Sequence, residues 1–224
     1  MTALVGVPAG QAFSRPWQDH VNRLGDYTAA LRVRDTARRD AARAGYLGAE
    51  SRLTEAFVVL VGGTVSGPAL AAAASAHGEH LLGHAGALAS GDHNRAYAVQ
   101  REAFGHMIAV ADVLARGVAT GKQLPTTELD TPRRALQSAL SRLLAEHEGL
   151  MVQVMRAAHD GAPAAAGDAL NANTTELGAA ISTLFGAPAA QQFLALRAPH
   201  VEGLILHASS PGDRAAQSRA RAGQ

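Results

Sequence analysis

No cysteine occurs among the 224 residues, and that absence removes disulfides, thiolate-ligated zinc, iron–sulfur clusters and thiolate nucleophiles from consideration. Aromatic residues are scarce at 4%. The interior must therefore be built mainly from alanine, leucine and valine, whose small size lets helices approach closely. No apolar run exceeds the length of Ala56–Val61, far short of the ~20 residues a membrane-spanning helix needs. Charge of one sign is not in excess either. A net charge of +1 with histidine neutral argues against a nucleic-acid partner, which requires a basic face. The arginine-rich stretch 32–43 also carries Asp35 and Asp40 and reads as a solvated helix face, and Arg214–Arg221 reads as a terminal tail. The opening MTALVGVPAG lacks the basic and apolar regions of a signal peptide. The expected location is the cytoplasm, or outside the cell if the true start lies upstream.

What is present points to packed helices. Hydrophobic residues make up 47% and charged residues 17%, the balance of a folded protein. A chain of this length buries roughly 70–75% of its unfolded surface without covalent staples. Segments alternating apolar and polar residues are missing and β-branched residues are sparse, so no strand is predicted.

One pattern recurs four times, aligned on His20, His77, His147 and His200. Seven residues before each histidine stands Phe13, Leu70, Leu140 or Phe193, and four after it Leu24, Leu81, Met151 or Leu204. An aspartate follows thirteen to fifteen residues on: Asp35, Asp92, Asp160, Asp213. Each histidine falls on the apolar stripe of a helix, and each aspartate lies at a turn: Asp35 and Asp92 can cap the next helix, Asp160 with Gly161 ends the fifth, and Ser209–Asp213 opens what would be an eighth. The first stripe is Trp17, His20, Leu24, Tyr27 and Leu31, with Pro16 suited to a first-turn position. A second helix over 36–60 is weakened in the middle by Gly45 and Gly48, and a break is expected there. Gly62-Gly63 and Gly67-Pro68 separate it from a third, whose stripe is Leu70, Ala74, His77, Leu81, His84 and Leu88. Val99, Ala103, His106 and Val110 mark a fourth, Leu140, Leu144, His147 and Met151 a fifth, Leu170, Leu177 and Ile181 a sixth, and Phe193, Leu196, His200, Leu204 and His207 a seventh.

The fold class is therefore all-α: a helical bundle of about seven helices built from internally duplicated antiparallel helical hairpins. Residues 1–120 form a first half of two hairpins, 121–132 a linker, and 133–224 a second half with an incomplete last hairpin, together one compact domain.

Two functional readings follow. In the first, a soluble binding protein holds a transition metal ion or a haem in a histidine-lined interior. Its ligands are drawn from His20, His77, His147 and His200, then from His84, His106 and His207. With imidazole as the main donor the fitting ions are zinc, copper, nickel or iron, or an iron held as bis-histidine haem. His77 and His84 are two turns apart, ~10.5 Å along the axis, so each needs partners from other helices. In the second reading the protein is a non-enzymatic structural or interaction repeat whose core histidines only hold helices together. A third possibility treats them as a proton-sensitive core, since buried histidines resist protonation.

A catalytic set is not visible. Ser66, Ser75 and Ser182 lie outside any nucleophile elbow, VLVGGTVSG lacks the lysine of a phosphate loop, and the Glu-x-x-His of di-iron bundles does not occur. Glu146 and Glu148 read as surface or edge residues, and Asn171–Thr175 as a solvent-facing turn of helix. The partner expectations are no nucleic acid, no membrane span, and a homodimer through the C-terminal helices if Leu204 and His207 present an exposed face.

Overall fold

The structure, a computed structural model, describes residues 6–160 and 163–209. The described residues form seven α-helices: α1 (Val7–Arg32), α2 (Thr36–Leu60), α3 (Gly67–Ser90), α4 (His93–Gly121), α5 (Pro132–His159), α6 (Ala164–Phe185) and α7 (Ala187–Ser209). A single 3₁₀ turn, Thr126–Asp130, precedes α5. Among the described residues there is no strand. Helices pair α1 with α2, α3 with α4 and α6 with α7, and hydrogen bonds join α5 to α6, giving the all-α bundle of duplicated hairpins that the sequence repeat implies. By contact the chain divides into two compact units, 1–136 and 137–224.

Two of the repeat aspartates cap helices, and Asp160 does not, the following helix starting after Pro163 without a side-chain cap. Asp35 accepts the Arg38 backbone N–H at 3.0 Å and Asp92 that of Arg95 at 3.1 Å. Each satisfies one of the unpaired N–H groups of a first turn, a contribution of about 1 kcal/mol. Asp160 follows the end of α5 directly, and Asp213 lies outside the described residues. Gly91 closes α3 at φ 79, a left-handed geometry for which glycine carries no Cβ penalty.

Two expectations about helix ends need correction. The first-turn proline of α1 is Pro8; Pro16 lies inside the helix. The helix tolerates one missing N–H there because its neighbours anchor it on both sides, Phe13 against Phe57 with ring centroids 4.7 Å apart and His20 against Tyr46. Nor does α2 break at Gly45 and Gly48. A glycine costs about 1 kcal/mol in a helix. Tyr46 and Ala49, fully buried beside these glycines, fix the backbone through packing.

In unit 1, α1, α2 and α3 pack against one another and α3 pairs with α4. Tyr27, Tyr46 and Leu82 form a core, with Leu24, Leu31 and Leu47 around it. By length and composition α4 alone among the described helices is long and apolar enough to cross a membrane. One face of it is nonetheless committed to the hairpin with α3.

In unit 2, α6 carries the packing surface for both neighbours. Its face toward α7 meets Leu194, which stands 3.5 Å from where a Cβ on Gly178 would sit, and Arg197, which bonds Asn171. Ala190 and Val201 are the buried residues of α7. Together these α7 positions describe one stripe at spacings of three and four. It is not the stripe read from the sequence: Leu196 is 76% exposed and His200 is exposed. The fourth repeat copy keeps the pattern of the others, but α7 turns a neighbouring face to α6.

Candidate functional site

Three of the repeat histidines meet the same thing, a residue on the returning helix of their own hairpin. His20 packs its ring on Tyr46 at 5.0 Å between centroids. The His77 Nδ1 lies 3.3 Å from the Ala103 carbonyl, and the His147 Nδ1 lies 2.9 Å from Asn173 Oδ1. Tyr46, Ala103 and Asn173 each follow their histidine by 26 positions. The turns between them differ in length, so it is the geometric slot that is repeated. A carbonyl oxygen can only accept, so Nδ1 of His77 carries the proton and donates it. The Asn173 amide nitrogen donates to the Leu143 carbonyl at 3.0 Å, which leaves its oxygen to accept from His147. His84 repeats the arrangement one step nearer the turn, donating from Nδ1 to the Ala96 carbonyl at 2.8 Å.

The sequence-derived ligand set does not gather at a point. His20 is buried in α1, and His77, His84 and His106 are half-buried in the α3–α4 hairpin. His147 is half-buried against α6, His207 is half-buried on α7 and His200 is exposed. Among the described residues no three His, Asp or Glu side chains are placed to hold one ion. The nearest approach to a ligand group is His80, His106 and Glu102. The two rings stand 4.6 Å apart, and His80 Nε2 is 2.9 Å from Glu102 Oε2.

Two buried polar clusters were not legible from the sequence. In unit 2, Glu146 and Asn173 are both 0% exposed, which corrects the surface reading of one and the solvent-facing reading of the other. Arg142 reaches Glu146 at 2.8 Å along its own helix and Glu176 at 3.1 Å across to α6. Arg142 and Glu146 have i,i+4 spacing, the one signal available beforehand.

In unit 1, Glu50 is 6% exposed. Its carboxyl lies directly on the backbone of Gly78, where a Cβ would overlap it. Burial pushes the Glu50 carboxyl up to about 7, Glu79 adds to the rise, and the Gly78 backbone N–H offsets part of it. Burial also raises the Tyr46 phenol, with Glu50 and Glu79 contributing. His20 and His77 are both pushed below the ordinary histidine value, first by burial. His77 adds to the lowering of His20, and the Ala103 carbonyl partly restores His77.

Two expected outcomes follow from this cluster. The Tyr46 hydroxyl is buried without a hydrogen-bond partner, and such a group costs about 1–3 kcal/mol. Tyr46→Phe is therefore expected to leave stability unchanged or raise it by about 1 kcal/mol; a loss of that size in urea unfolding would show that the hydroxyl is bonded. The histidines act in the other direction. Their depressed folded values mean the folded state binds fewer protons, so stability is held above the unfolded value near 6.5 and lost as pH falls below it. Replacing His20 and His77 with glutamine is expected to flatten that acid limb, and an unaltered pH slope in the double variant would refute the assignment.

In comparisons with protein-family models, curated proteins and solved structures, the chain matches none.

Proposed function

We propose that the protein is a non-enzymatic interaction scaffold of tandem helical hairpins, in which the repeat histidines set the register of each pair. The observation that carries this reading is the common slot: His20, His77 and His147 each engage the residue 26 positions on, within their own hairpin. An imidazole bonded across two helices, as at His77 and His147, fixes their relative rotation and slide, as buried polar groups do in coiled coils, whereas His20 acts through ring packing alone. Such a chain would present its outer faces to partners. The face of α7 that aligns with the His20 face of α1 exposes Leu196 and His200. In α1 the aligned residues His20 and Leu24 are buried or half-buried and the helix packs on α2 and α3, whereas among the described residues α6 is the helix packed most extensively on α7. A second copy of this chain, offering the identical face, is the expected occupant. Light scattering should show a dimer at micromolar concentration that Leu196→Asp dissociates. A monomer at all concentrations would remove the dimer, and His147→Gln leaving stability untouched would remove the register role.

A second reading, binding of a transition metal ion, is favoured by one observation. The fixed Nδ1 protons of His77 and His84 leave each Nε2 as a lone pair, the tautomer a ligand needs. Beside them, His80, His106 and Glu102 come within a short side-chain movement of one another. The four-ångström-scale spacing of the two rings suits an ion better than a haem, since no porphyrin plane fits between them. Under this reading zinc or copper raises the melting temperature of the untagged protein, and His106→Ala abolishes the rise; no shift with either ion would end it.

A further inference from the structure

We propose that Glu50 is a proton-operated latch on the seam between α2 and α3: neutral, its carboxyl lies in the bed that Gly78 leaves open, and ionised, it must leave that bed and part the two helices. The seam is where the α1–α2 hairpin joins the α3–α4 hairpin, and a groove of about 460 Å³ runs along it, lined by Leu47, Glu50, Thr54, Ser75 and Glu79 among others. The fit is close on one side and open on the other. The carboxyl touches the Gly78 backbone with no room for a methyl group between them, while its other flank borders the groove.

Among the described residues no cation on the facing elements is paired with Glu50, and the Gly78 backbone N–H stabilises its charge only in part. The titratable groups around Glu50 are Tyr46 and Glu55 on α2 and Glu79 on α3, with His20 of α1 lying beyond, against the Tyr46 ring. Burial pushes His20 and His77 below the ordinary histidine value, with His77 adding to the lowering of His20, and His106 and His80 to that of His77. Of the arginines that flank Glu50 on α2, Arg43 is paired with Glu79 at 2.5 Å and Arg52 with Asp19 at 2.6 Å. A buried carboxylate without a cation is unfavourable, and the group responds by keeping its proton or by moving to water. The groove provides the route to water.

The direction of the effect is fixed by the raised value. The closed seam binds the proton more tightly than the open one, so its advantage is full below about 4.5 and is lost as pH rises through about 7. Between pH 5 and 8.5 the closed-to-open ratio is expected to fall about 100-fold.

Native-state hydrogen exchange reads that ratio directly. After correction for intrinsic rates, buried seam amides such as Thr54 and Gly78 should lose about 100-fold in protection over this pH range. Val110, buried on α4 away from the seam, should keep its protection. Glu50→Gln should hold the seam amides at their acid value throughout. The latch is overturned if wild-type protection does not fall, if Glu50→Gln falls equally, or if Val110 falls by the same factor, which would mean global unfolding. Should Glu50→Gln not fold, Gly78→Ala supplies the test. Its methyl group takes the carboxyl's place, so seam protection should be low and flat with pH, and a wild-type pH response in that variant would equally overturn the proposal.

Discussion

Replacing Asn173 with leucine is expected to destabilise the protein by about 3 kcal/mol, read as a lower urea midpoint at unchanged slope. The side chain is of similar volume and more apolar, so a simple burial argument would predict a gain. Its two hydrogen bonds decide otherwise. Without the amide, the His147 N–H loses its acceptor and the Leu143 carbonyl loses a donor, in a place closed to water. Each stranded group costs about 1–3 kcal/mol, and the carbonyl costs least because its own helix still supplies a donor. Asn173→Asp retains an acceptor for His147 and should fall between the two. A leucine variant as stable as the wild type would mean that the imidazole does not use this slot.

Arg142→Ala should produce a loss of similar size, about 3 kcal/mol, because it leaves the fully buried Glu146 without its guanidinium. The arginine itself is partly solvated, and Glu146 has further interactions, which keeps the figure at the lower end of the range for buried pairs. The more telling variant removes both charges. Arg142→Met with Glu146→Leu should recover most of the loss or exceed wild-type stability, since apolar replacements of similar volume avoid desolvating two ions. Failure of the double variant to recover would assign Glu146 a role beyond its pairing with Arg142. These two experiments act on neighbouring residues of the α5–α6 pair, so their effects are not expected to add.

The architecture was readable in advance for a physical reason. Stripes at helical spacing, capping aspartates and glycine-marked turns are local features, and local features leave a trace in the order of residues. Asp35 and Asp92 do at their helix ends what their positions require. Pro16 and the pair Gly45, Gly48 misled because their cost of a few kcal/mol at most is outweighed by Phe13, Tyr46 and Ala49 packing around them. The candidate sites were far less legible. Glu50 meets Gly78 and Asn173 meets His147 across a helix pair, and Asn171–Thr175 looks polar from any single helix turn. Only the constant interval of 26 residues carried the pairing, and it shows itself once the second helix of each hairpin is placed beside the first.

That interval has a consequence for how such a chain can change. Each hairpin holds its own gauge of correct alignment, set by residues that both lie within it. Loss or gain of a single residue in a turn would rotate the returning helix by ~100° and carry Tyr46, Ala103 or Asn173 off its histidine. Loss or gain of a complete hairpin would disturb none of these internal alignments. Lengthening in whole modules would thus leave every existing slot in register.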